Sequence, residues 1–313
     1  MEITAKMVSE LREKTGAGMM KCKEALIECK GNFEEAIDYL RKKGLASADN
    51  KAGRAASQGL IVAKTSPDRR TAVLLETNCE TDFVARNAEF VSFTGKLADA
   101  VLATPTLGDL TALANHQLEG RTVDEIRKGL VAKIGENIQL GRVQRLTAPA
   151  TGVFDTYIHG EGKLGVVIQL DCSKPDLANQ PATIALAHEI ALQVAAMNPF
   201  YPTRQQVPAN VLAKEKEIIL GQLQNDPKNA KKPQNILEKI VEGRLDKFYK
   251  ERCLVEQVYV KDDTKTIQDL LTEYGKAHDA TVTVTAFWRW AVGERPAETA
   301  PSSCCGGATG CCS

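Results

Sequence analysis

A chain of 313 residues with 43% hydrophobic and 26% charged side chains has the balance of a globular protein and room for two or three domains. Its 40 basic and 40 acidic side chains cancel and only 5% of residues are aromatic, which argues against bulk attraction to nucleic acid or membrane and against base stacking. The longest apolar stretch, around 184–197, carries His188 and Glu189, and residues 1–4 lead into a mixed-charge segment, so neither a membrane span nor a secretory signal is expected and the location reads as cytoplasmic.

The first 45 residues read as three short helices. Thr4 caps the first, with Met7, Val8 and Leu11 on one face. The second spans 19–29, and Met19 and Met20, being adjacent, cannot both point inward. The third starts at Asn32 and is expected to stop at Gly44. Residues 46–57, rich in Ala, Ser, Lys and Gly, read as a mobile linker.

Strand-like runs at 60–63 and 71–77 flank a turn at Ser66, Pro67 and Asp68. Asn87 caps a helix carrying Phe90, Phe93, Leu97 and Val101; Thr122 and Glu125 form a capping box for another that Gly135 ends. Strands follow at 138–146, 154–158 and 164–170. A helix over 181–197 precedes two more, near 209–223 and 234–253, whose apolar positions (Val211, Leu212, Ile218, Ile219, Ile236, Ile240, Leu245, Phe248) suit an antiparallel hairpin. A helix near 267–274 and a strand over 281–287 complete the pattern. Clustered rather than alternating elements predict an α+β architecture.

Several motifs carry less than they suggest. Gly160, Gly162 and Gly165 match a dinucleotide spacing, but a strand rather than a helix follows, so they read as a hairpin turn. His188-Glu189 lacks the second imidazole of a zinc helix. No catalytic triad or paired carboxylates stand out, and no enzyme activity, metal or cofactor is expected. Five cysteines (Cys22, Cys29, Cys79, Cys172, Cys253) are scattered as in a reduced protein, while Cys304, Cys305, Cys311 and Cys312 crowd a tail, 295–313, read as disordered with its role open. Thr81-Asp82-Phe83-Val84 stands out more. It joins a strand to a helix and sets an aromatic beside an acid, either as a capped turn over a packed Phe83 or as an exposed wedge for a partner.

Four segments, 11–20 (LREKTGAGMM), 77–85 (TNCETDFVA), 131–138 (VAKIGENI) and 241–244 (VEGR), resemble the elongation factor Ts family of bacterial translation, over about residues 2–294. The resemblance implies a ubiquitin-associated-like helical domain over 1–45 and a core of two α+β subdomains, 58–150 and 151–294, with antiparallel sheets and a helical hairpin protruding at about 205–253. It implies a guanine-nucleotide exchange factor that binds elongation factor Tu in its GDP-bound and nucleotide-free states. By motif, Thr81, Asp82, Phe83 and Val84 would disturb the GTPase's magnesium site, and Met19, Met20, Ile134, Gly135 and His159 would make further contacts. A homodimer or a 2:2 complex stays open, as does an adaptor role in which the helical module binds a ubiquitin-like or ribosomal partner. Many members carry a C-terminal helical module, whereas here 293–296 turn into the tail.

Overall fold

A computed structural model describes residues 3–225 and 232–294; the tail 295–313 and the tip of the helical hairpin lie outside the described residues. The chain order is α1 (Ala5–Thr15), α2 (Met19–Glu28), α3 (Phe33–Lys51), β1 (Gln58–Thr65), β2 (Thr71–Cys79), α4 (Asp82–Ala85), α5 (Ala88–Ala103), α6 (Leu110–Asn115), β3 (Gln117–Leu118), β4 (Arg121–Thr122), α7 (Val123–Ile134) and β5 (Ile138–Thr147). It continues with β6 (Gly152–His159), β7 (Leu164–Cys172), α8 (Pro175–Ala178), α9 (Pro181–Met197), α10 (Ala209–Gln224), α11 (Gln234–Arg252), β8 (Val258–Tyr259), β9 (Asp262–Thr266), α12 (Ile267–Ala277) and β10 (Val282–Ala291). This mixture of helices and antiparallel strands is the α+β class expected.

Caps set most boundaries. Thr4 accepts from the Met7 amide, Asn32 and Asn87 each accept from two amides of their helices, and the Thr122/Glu125 capping box is complete. The structure differs at the end of α3. Gly44 does not stop the helix, which continues to Lys51, so 46–51 are not a linker. A mid-helix glycine costs about 1 kcal/mol relative to alanine, but here the missing side chain lets α3 lie on α7: a Cβ at Gly44 would sit 3.0 Å from that of Ala132. Beyond it Ala48 is buried in the first core cluster, and Asp49 pairs with Lys128 at 2.9 Å. The segment that follows is also tied down, because the Asn137 side-chain amide donates to the Ala52 and Arg54 carbonyls at 3.3 and 2.7 Å. The last strand is longer than expected and takes in Trp288 and Trp290.

Two three-stranded antiparallel sheets form the centre, ordered β1-β2-β5 and β10-β7-β6. In the first, Leu75 lies opposite Val62 and Val143; in the second, Ile168 lies opposite Asp155 and Phe287. Strand β2 is buried on both faces, because its alternate residues serve different cores. Val73 and Leu75 pack with Phe90, Leu97 and Val131 beneath α5 and α7, whereas Ala72 and Leu74 meet Phe154 and Val167 of the other sheet. Ile168, Leu170, Ile190, Val194 and Ile267 fill the far side under α9 and α12. The layers therefore run helix, sheet, sheet, helix.

The seam between the sheets is unusually close at the β6–β7 turn. Gly162, at φ +86°, accepts a hydrogen bond from the Ile61 amide at 2.8 Å, and a Cβ there would overlap Leu60 Cδ1. At Gly165 a Cβ would lie 2.5 Å from Ile61 Cγ2. These glycines serve packing, in keeping with the hairpin reading of the motif. Helices α10 and α11 pair through a short seam of Ile219, Leu223 and Leu245, leaving Ile218 and Ile236 exposed rather than paired. Their root is fixed by a bridge between Tyr201 and Cys253 and by the Arg204 guanidinium forked on Glu256.

Candidate functional site

Strand β2 ends at Cys79, and the chain turns at once into α4, a helix of only four residues. So short a helix has no stability of its own and depends on what surrounds it. Thr81 caps it, its hydroxyl oxygen accepting from the Val84 amide at 3.4 Å. Both Thr81 donors go to one carboxylate: the amide to Glu136 Oε2 at 3.0 Å and the hydroxyl to Glu136 Oε1 at 2.8 Å. A return strap runs the other way, from the Asn137 amide to Glu80 Oε1 at 2.6 Å. The buried Cys79 thiol donates to the Thr81 carbonyl, and burial, reinforced by Glu136, pushes its pKa up to about 12. It is structural, not reactive.

The four residues singled out in this turn divide by direction. Val84 points into the first core and anchors the turn. Thr81 is consumed in bracing, and Asp82 is half-exposed with Arg86 Nη2 3.9 Å away. Phe83 is 82% exposed. The ring therefore stands in solvent on a braced turn, and the packed alternative for Phe83 does not hold.

The other expected contacts lie around it. Helix α7 ends in Ile134, half-buried against the first core, and Gly135 at φ +94°, a left-handed cap that glycine adopts without strain. The next residue is Glu136, so the 134–135 turn and the 81–84 turn are joined directly. Arg86 reaches across to Glu161 on the β6–β7 turn at 3.4 Å, which brings in His159. That imidazole is exposed at the strand end, its Nδ1 2.9 Å from the Tyr157 hydroxyl. Met19 and Met20 are 42% and 76% exposed on α2, which adjoins α7 where Lys21 donates to the Ala132 carbonyl at 3.5 Å. One run of contacts thus links α2, the end of α7, the 81–84 turn and the β6–β7 turn.

Sequence reasoning missed the residues that make this arrangement: Glu136, Glu80, Arg86 and Glu161. Glu80 and Glu136 lie within recognisable motifs, but the bonds they accept, from Asn137 and from Thr81, join positions 57 and 55 residues apart, which local patterning does not reveal. His188 belongs elsewhere. Its Nδ1 lies 2.9 Å from the buried Asp155 carboxylate, which Arg69 also holds. Among the described residues no cluster of three or more His, Cys, Asp or Glu could hold a metal, and no helix is long and apolar enough to cross a membrane.

The α+β scaffold thus exposes the Phe83 ring on a turn strapped to its neighbours, with the methionines exposed on an adjoining helix. Comparison with known proteins gives the family. The model for "Elongation factor TS" matches residues 80–294. Elongation factor Ts of Clostridium novyi (strain NT) is 46% identical over 295 residues, covering 93% of each chain. Those of Symbiobacterium thermophilum, 46% identical over 94% of this chain and 93% of the relative, and of Clostridium perfringens (strain SM101 / Type A), 43% identical over 93% of each, are similarly close. The chain belongs to the elongation factor Ts family and, with it, to translation elongation.

Proposed function

We infer that the chain is a guanine-nucleotide exchange factor for elongation factor Tu: it binds the GDP-loaded GTPase, disturbs its magnesium and phosphate site, and holds the nucleotide-free form until GTP displaces it. One observation carries the reading beyond the family name, namely that Phe83 stands 82% exposed on a strapped turn beside Asp82. A GTPase grips GDP through backbone amides, a lysine and a bridging Mg²⁺. For a nanomolar nucleotide that grip amounts to about 12 kcal/mol. The factor lowers it only by binding the empty state better than the loaded one, and linkage then makes the nucleotide weaken the factor's own binding equally.

No bond is made or broken, so the residues act by shape and charge. Burying Phe83 in the GTPase contributes about 2–3 kcal/mol, available only where a pocket opens to admit it. Asp82 competes for the hydrogen bonds that orient the magnesium ligands. Met19 and Met20 supply an adaptable docking face, and Ile134, Gly135 and His159 fill the surface between.

The test is the release of fluorescent GDP from purified elongation factor Tu. The chain accelerates release, and Phe83→Ala lowers the acceleration about thirtyfold or more, as the loss of about 2–3 kcal/mol from one buried aromatic implies, while its melting temperature stays unchanged. Binding without acceleration would leave an adaptor instead. A Phe83→Ala chain that accelerates as well as the parent would sink the wedge.

A further inference from the structure

Glu136 is the residue on which the presented turn depends. Its two carboxylate oxygens take both donors of one residue, the amide and hydroxyl of Thr81. The hydroxyl has a single proton, and giving it to Glu136 leaves the oxygen lone pairs facing the Val84 amide. The carboxylate therefore sets the polarity of the cap as well as its place. Without it, the four-residue helix keeps its own backbone bonds, the Cys79–Thr81 bond and the buried Val84 and Ala85, but loses the one acceptor group that fixes both Thr81 donors. The left-handed Gly135 ends α7 and turns the chain so that Glu136 comes immediately after the cap, and Glu80 straps the Asn137 amide in return. The two straps hold the turns to each other.

We propose that Glu136 is a positioning residue for nucleotide exchange: it holds Phe83 in its presented orientation and locks the 81–84 turn to the Ile134–Gly135 turn, so that both engage the GTPase as one body. This rests on the exchange reading above. Among the described residues both oxygens of Glu136 bond to Thr81, and it acts through that residue.

The experiment compares Glu136→Ala and Glu136→Gln, each with Phe83 present and as Phe83→Ala, by amide hydrogen exchange on the chain alone and by stimulated GDP release. Glu136→Ala speeds exchange of the Thr81 amide about tenfold, as expected for one lost charge-assisted bond, and leaves β2 protected. It lowers the maximal stimulated rate by about tenfold while the half-saturating concentration moves by less than about twofold. Gln, which offers one acceptor where two are needed, falls between. In the Phe83→Ala background, Glu136→Ala adds less than about a twofold loss, because the group it positions is gone. An unchanged Thr81 amide, a full further loss without Phe83, or loss of protection throughout β2 would each overturn the proposal. If the parent chain leaves GDP release unaltered, the exchange reading fails by itself, and the amide measurement still decides whether Glu136 holds the turn.

Discussion

The N-terminal module and the first subdomain both carry exposed apolar groups, and they support them by opposite means. Met19 and Met20 ride on three helices whose buried centre is Val8, Leu11, Cys22, Ala25, Leu26 and Ala36. These helices meet α7 through the close Gly44–Ala132 approach and the buried Ala48, and at the edges through partly exposed ion pairs, Arg41–Glu125 at 3.2 Å and Lys128–Asp49 at 2.9 Å. Phe83 instead stands on a turn at the end of β2, a strand buried on both faces, with the Thr81 and Asn137 amides each bonded to a carboxylate. Exposed ion pairs contribute little and yield to salt, whereas a closed core does not. The helix bearing the methionines is joined to the rest in part by pairs that salt can weaken, whereas the 81–84 turn is fixed to a doubly buried strand.

The sharpest way to break this contrast is at its strong end. Phe90→Ala, emptying a fully buried position under α5, should cost about 3–5 kcal/mol in denaturant unfolding, and the loss should appear in one transition that takes the 81–84 turn with it. A cost below about 1 kcal/mol would show that the first core collapses around the cavity and does not support the turn rigidly. The weak end answers differently. Leu26→Ala should destabilise the module by about 2–4 kcal/mol, raising amide hydrogen exchange in α1–α3 while β2 stays protected. If β2 loses protection too, the two regions are one cooperative unit and the comparison fails. The smallest effect belongs to the joint between them. Arg41→Ala with Lys128→Ala should cost less than about 1 kcal/mol per pair, and should remove most of the salt dependence of module docking, read as α3 hydrogen exchange at low and high ionic strength.

Much of this was legible in the sequence where the signal is local. The capping residues Thr4, Asn32, Asn87 and Thr122 announced their helices because a side chain bonding two or three residues ahead is a local event. That Met19 and Met20 could not both be buried followed from helical periodicity alone, and both turn out exposed. Gly44 misled for the complementary reason: whether a glycine ends a helix or lets another helix approach depends on Ala132, far away in the chain. Ile218 and Ile236 fit an apolar stripe, yet the hairpin seam closes on Ile219, Leu223 and Leu245. The turn at 81–84 was visible as an oddity, but its brace was not, because no pattern along a chain pairs Thr81 with Glu136. Likewise, the doubly buried β2 reads as an apolar run whose two destinations, helices on one face and a second sheet on the other, are set only by the assembled layers.

The seam at Gly162 and Gly165 has a mechanical consequence. Where backbone rests on the side chains of Leu60 and Ile61 with no room for a methyl group, the joint between the two sheets has no slack and no hinge can operate there. It behaves as a weld. The helical hairpin of α10 and α11, rooted in the second subdomain through Tyr201, Cys253 and Arg204, is then a long handle on a stiff body. A load on that handle is not relieved at the Gly162–Gly165 seam, where a methyl group has no room.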